Sequence, residues 1–173
     1  MFRALVVGAL AVGLLAGPAE AQSGLRSRGG PMALADSVVV EKGAHKMTLY
    51  HLGRAIHAYR VALGGNPVGD KVSAGDRRTP EGLFFIDARN PFSEFHLSLH
   101  ISYPDARHRS RAEQLGVSPG GDIMIHGLPA GRHQVGSMHR IADWTNGCVA
   151  LTDEEMEEIW AAVPIGTPVH IKS

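Results

Sequence analysis

The only cysteine, Cys148, lies in Thr145-Asn146-Gly147-Cys148-Val149, and one histidine, His126, closes the apolar run Ile123-Met124-Ile125 just before Gly127. Thiol and imidazole together suffice for nucleophilic acyl transfer, with no cofactor. A free thiol has a pKa of about 8.5, so only a few per cent is thiolate at neutral pH. An imidazole within hydrogen-bond reach takes the thiol proton and later hands it to a leaving amine. Both side chains flank short apolar runs, which places them at strand ends, held by a sheet yet reached by solvent. Gly127 leaves a carbonyl beside His126 that can orient the imidazole. Gly147 leaves room for backbone N–H groups to face an oxyanion. The bland alternative for Cys148 is a buried small hydrophobe.

Met1-Phe2-Arg3, an apolar run from Ala4 to Ala16 and the small-x-small site Ala19-Glu20-Ala21 have the layout of a secretory signal peptide over residues 1–21. The run is too short to span a bilayer, which takes about 20 apolar residues, and no other segment is long enough. Residues 22–35 read as a linker and 36–173 as one domain, exported to the periplasm or cell envelope. Exported proteins usually spend cysteines on disulfide pairs, so a lone cysteine there is a flag. Seventeen basic residues balance seventeen acidic ones, which excludes a general attraction to nucleic acid.

The elements that must position the pair are mostly strands. Val38 to Val40, Lys46 to Tyr50 and Ala55 to Leu63 are short β-prone runs broken by Gly43 and Gly53, a meander of antiparallel strands. Leu83 to Ile86 is a further strand. From Phe95 to Ser102 apolar and polar residues alternate, with His96, Ser98, His100 and Ser102 on a face expected to meet solvent. Asp105 to Leu115, ended by Gly116, reads as a surface helix, Ile123 to Ile125 as a buried strand and Pro168 to Ile171 as the last strand. Thr152-Asp153-Glu154-Glu155 is a capping box that opens a helix over about 152–163. Met156, Ile159, Trp160 and Val163 form its core stripe, and its acids suit the helix dipole and a solvated face. The fold class is mainly β, with sandwich-like mixed sheets and one strong helix.

From about Ser37 to Ile171 the chain resembles the L,D-transpeptidase catalytic domain. The matching blocks are Gly75-Asp76-Arg77-Arg78-Thr79-Pro80-Glu81-Gly82, Gly121-Asp122-Ile123-Met124-Ile125-His126-Gly127, Thr145 to Leu151 and Gly166-Thr167-Pro168-Val169. The resemblance implies Cys148 as nucleophile, His126 as general base and acid, and the Gly127 carbonyl as orienter of His126. It also implies peptidoglycan stem peptides as substrates in cell-wall cross-linking or remodelling, and carbapenem-type β-lactams as acylating inhibitors. Gly147, Asn146 and Thr145 are the expected substrate or oxyanion residues. Asn146 stands where the family often has histidine, and Ala150 where many members have arginine. Arg140 or Arg78 is therefore expected to meet the substrate carboxylates.

Other residues have quieter readings. His126, His133 and His139 could form a metal trio for a metallopeptidase, but their spacing fits no zinc pattern, and no metal is expected. His133 and His139 read as solvent-facing loop residues, Trp144 as a wall for a substrate chain and Trp160 as core. Leu128 to Asp143 is long enough to wall an acceptor subsite, with Asp143 its one carboxylate to hold an ammonium group. That favours transfer to an amine over hydrolysis by the same site, the first rival reading. A non-catalytic wall-binding module is the second.

Overall fold

The computed structural model describes residues 32–173; the expected signal peptide and residues 22–31 of the linker lie outside them. Val38 and Val40 alternate with less buried neighbours in β1 (Ser37–Glu41), and Met47 and Leu49 face the same core from β2 (Lys46–His51). With β3 (Arg54–Arg60) these strands make the expected antiparallel meander. The body also takes in the last residues read as linker. Met32 packs on the core, and buried Ala35 donates its N–H to the Ala162 carbonyl at 2.8 Å.

Five more strands follow: β4 (Gly82–Ser93), β5 (His96–Ile101), β6 (Met124–His126), β7 (Val149–Ala150) and β8 (Pro168–Lys172). The strand order is β3-β2-β1-β8-β4-β5-β6-β7, so the pairing is continuous across eight strands. β8 pairs parallel with β1, β7 pairs parallel with β6, and the other neighbours are antiparallel, as a mixed and mainly β fold requires. β4 joins the halves: Gly82 to Phe85 pair with β8, and Ile86 to Ser93 pair with β5. It runs well past Ile86, where the sequence places its end. The ladder shifts register between Asn90 and Ser93, around Pro91, which has no N–H to donate. Phe84, Ile86, Leu99, Ile101, Ile125 and Val169 fill the core.

Two α-helices flank the sheet. α1 (Ala106–Gln114) starts at Asp105, whose side chain accepts from His108 N–H, and Gly116 takes φ +65° just past its end. It is not wholly a surface helix. His108 is 2% exposed, held by Asp105 through Nδ1 at 2.6 Å and by Asp70 through Nε2 at 3.0 Å. α2 (Asp153–Ala162) opens on the full capping box and buries Met156, Ile159 and Ala162. Trp160 is only half-buried, with the Arg89 guanidinium 3.9 Å over its ring, so it caps the core from outside. Among the described residues no helix is long and apolar enough to cross a membrane.

Candidate active site

His126 ends β6 and Cys148 immediately precedes β7. Parallel pairing sets Ile125 beside Val149 and His126 beside Ala150, and Leu151 N–H donates to the His126 carbonyl at 2.9 Å. On its other side β7 exchanges two hydrogen bonds between Ala150 and Ala62, at 2.9 and 3.0 Å. The short strand carrying the cysteine is thus pinned from both flanks. Thr145 shapes the turn before it: its hydroxyl donates to the Cys148 carbonyl at 2.8 Å and accepts from Gly147 N–H at 3.1 Å. Gly147 has φ +131°, and a Cβ there would lie 2.6 Å from the Arg78 carbonyl, so both conformation and space require glycine.

Cys148 and His126 line one cleft of ≈ 500 Å³, with Phe95, Asp122, Trp144 and Asn146 among its walls. His126 is 3% exposed, and its Nδ1 donates to the Gly127 carbonyl at 2.7 Å. A carbonyl only accepts, so Nδ1 carries the proton and Nε2 has the free lone pair. The imidazole lies between two rings, Phe95 at 4.5 Å and Trp144 at 5.8 Å between centroids. Burial lowers its proton affinity below that of a free imidazole, against the opposing pull of the Gly127 hydrogen bond. Burial also pushes the Cys148 thiol up; Met124 N–H opposes this, the Asp122 charge adds to it, and the Lys71 charge lowers it. Sγ accepts from Met124 N–H at 3.4 Å and lies 3.5 Å from the Asp122 carbonyl, to which it donates. No hydrogen bond joins it to His126.

Both shifts favour the neutral thiol–imidazole pair over a preformed thiolate–imidazolium pair. In this arrangement the thiol proton is directed at the Asp122 carbonyl and not at His126 Nε2. This has a pH consequence. A thiol pKa raised above the exposed value leaves less thiolate at neutral pH and moves the rise in alkylation rate upward. Alkylation of Cys148 by a small haloacetamide is therefore expected to keep climbing above pH 8.5, about where an exposed thiol is half ionised. A plateau reached below that pH would show a preformed thiolate instead.

Several expected site residues are placed differently. Asn146 is exposed and lines the cleft beside Cys148, but Gly147 N–H is taken by Thr145 and cannot face an oxyanion. Neither expected cation reaches the cleft. Arg140 pairs with Glu155 of the capping box, and the Arg78 guanidinium contacts the Asp70 carbonyl at 3.4 Å. Arg77 is exposed against Gly65. Asp143 is no acceptor subsite: one oxygen accepts from Leu63 N–H at 2.8 Å and the other bonds His45 at 2.9 Å. That carboxylate ties the loop to the β3 side of the sheet.

One loop histidine differs from the sequence reading. His139 is 8% exposed and takes a hydrogen bond from Trp144 Nε1 at 3.4 Å; burial holds its proton affinity down, at about pKa 4. His133 is exposed, as the sequence reading has it, and pairs with Asp153; among the described residues no group of His, Cys, Asp or Glu is placed to hold a metal ion. On β5, Ser98 is buried between its strand neighbours Asn90 and His126, while His96 and His100 bond Glu157 and Asp87. Trp144 does wall the cleft, and it also walls a neighbouring hollow of ≈ 260 Å³ lined by Pro129, Val135, Met138 and Ile141.

Phe95 and Asp122 went unassigned in the sequence. Phe95 could have been found from its place just before β5, the strand that pairs with the one ending at His126. Asp122 carries a weaker signal: it follows two glycines and adopts φ +53°, a turn conformation that aims its carbonyl at Sγ.

The family model for the L,D-transpeptidase catalytic domain matches residues 35–171. A search of curated proteins found no match. Among solved structures the chain is similar to the helical cell shape determining protein Pgp2 from Campylobacter jejuni, at 23% identity and a TM-score of 0.61, over 83% of this chain and 51% of that one. It is similar to Bd1075 from Bdellovibrio bacteriovorus at 19% identity and 0.55, over 82% and 51%. An L,D-transpeptidase from Mycobacterium smegmatis follows at 15% and 0.52, over 79% and 58%. The chain spans about half the length of the first of these structures, and at such identities the likeness shows the fold. The family rests on the match across nearly all the described residues: this chain belongs to the L,D-transpeptidase catalytic domain family.

Proposed function

We propose that the protein is an exported cysteine acyltransferase that remodels peptidoglycan through a thioester on Cys148, with residues 1–21 as its export signal. The observation that carries this is one cleft holding the thiol and an imidazole whose Nδ1 is locked on the Gly127 carbonyl, leaving Nε2 free. Sγ attacks the carbonyl of an L-centre residue bonded to a D-residue, and Nε2 takes the thiol proton. With Gly147 N–H engaged, the Cys148 N–H is the donor left to face the oxyanion. The C–N bond breaks, and the D-residue leaves as an amine carrying the proton from His126. An acceptor amine then attacks the thioester, His126 takes its proton, and the thiol is regenerated. A wall-remodelling role agrees with the cell-shape function for which the Campylobacter structure is named.

Transfer requires an acceptor held near attack geometry so that it outcompetes water. Asn146, neutral and exposed beside the nucleophile, suits an incoming amine. Hydrolysis of the same thioester is the second reading, favoured by one observation: Asp143, the loop's one carboxylate, is spent on Leu63 and His45. The protein without residues 1–21, incubated with donor stem peptide and a D-amino acid or second stem, is expected to give products containing the acceptor. Only shortened donor at saturating acceptor would establish the hydrolase.

A further inference from the structure

The peptide unit between Gly127 and Leu128 is held at both ends. Its carbonyl accepts the His126 Nδ1 proton at 2.7 Å, and its N–H donates to Asp153 Oδ1 at 2.8 Å. Carbonyl and N–H belong to one conjugated plane, so an anion bonded at the nitrogen increases the negative charge on the oxygen. Asp153 is 8% exposed at the first position of α2, so water screens it little. The approach is close: a Cβ on Gly127 would lie 2.6 Å from Asp153 Oδ1. A first-turn acid serving only the helix dipole would face solvent, as exposed Glu154 does. Asp153 instead turns back to a segment 25 residues away. Its second oxygen holds His133 of the loop.

From this geometry we infer that Asp153 is a positioning residue for His126, acting through the Gly127–Leu128 peptide. It fixes the Nδ1–H tautomer and stabilises the imidazolium that forms as the thiol is deprotonated. The inference rests on His126 being the base. The arrangement is the orienting carboxylate of a triad with one peptide unit interposed, which keeps the anion out of the cleft where a donor carbonyl must bind. Other groups that face the two residues are Cys148 and Asp122 across the cleft, His139 and Arg140 from the loop, and His133 on Asp153 itself.

The test compares Asp153→Asn with Glu154→Gln in the folded protein without residues 1–21. Asparagine keeps an oxygen for Leu128 N–H and removes the charge, while the control removes a charge from the same turn. Nitrogen-15 NMR follows the tautomer and titration midpoint of His126, and mass spectrometry follows acylation of Cys148 by a carbapenem. Asp153→Asn is expected to lower the His126 midpoint and slow acylation about 10- to 100-fold, the usual worth of a carboxylate that orients a functional histidine. Glu154→Gln should change neither. In the unmutated protein a hydrogen bond from His126 Nδ1 to the Gly127 carbonyl and one from Leu128 N–H to the Asp153 carboxylate should both appear as through-bond couplings, a reading that needs no variant to fold. An unchanged midpoint and rate in Asp153→Asn, or the absence of the coupling to Asp153, would overturn the role. His126→Ala separates the two failures. If it slows acylation while Asp153→Asn does not, only the Asp153 role falls. If it leaves acylation unchanged, His126 is not the base and both readings fall.

Discussion

Cys148→Ala is expected to abolish turnover and leave the fold in place. The side chain is part-exposed on the cleft wall, and its hydrogen bonds to Met124 N–H and the Asp122 carbonyl are long, at 3.4 and 3.5 Å. Removing one sulfur there costs on the order of 1 kcal/mol or less, while β7 stays pinned by His126, Ala62 and Thr145. The chemistry has no second thiol to fall back on, since the sequence has one cysteine. Intact-mass spectrometry with a carbapenem should show one adduct on the parent protein and none on the variant. More than trace turnover by Cys148→Ala, or an adduct on it, would remove Cys148 from the nucleophile's role.

His126→Ala is expected to slow acylation by about 10² to 10⁴, the usual worth of a positioned base. The ring also fills space between Phe95 and Trp144, so alanine will cost stability as well. His126→Gln, which keeps most of that volume, should lose as much rate with a smaller fall in Tm. The pH profile gives the sign independently. Because burial lowers the proton affinity of His126, the neutral base persists to more acid solution than a free imidazole would. The acid limb of kcat/KM is therefore expected below pH 6.5, about the free imidazole value. An acid limb above 6.5, or a rate unchanged in both variants, would mean that another group takes the proton.

How much of this was legible depended on whether a residue's partners are near in sequence. The meander of β1 to β3 and the capping box of α2 are local patterns, and they appear as read. So does the placing of His126 and Cys148 at the ends of short apolar runs. Asp153 illustrates the opposite case. Its neighbours mark it as a dipole-facing acid on a solvated turn, and only the fold reveals Leu128 N–H and His133 converging on it. Asp143, Arg140 and Arg78 sit away from their expected places for the same reason, since each is engaged by a distant partner. Ser98 and His108 are polar by type yet buried, one in a strand paired along both edges by β4 and β6, the other satisfied by Asp70 from 38 residues away. The second half of β4 was hidden by Pro91 and its polar neighbours, which the pattern reads as a break although the strand bulges and continues.

The position of β8 constrains how the chain comes to be folded. Residues 168–172 follow every other strand in sequence, yet they lie in the middle of the ladder, parallel to β1 and antiparallel to β4. Until they arrive, the meander of β1 to β3 and the group of β4 to β7 are paired only through the short bridges of Ala62 with Ala150 and Gly64 with Thr145. Joining β1 to β8 closes a loop of well over 100 residues, an entropic cost met early in folding and returned only as non-local contacts form. A chain emerging from its N-terminus therefore cannot complete the ladder until those residues have emerged. The pair of β6 and β7 that carries His126 and Cys148 needs no β8, so the site strands can pair early while the full ladder closes only with the last strand.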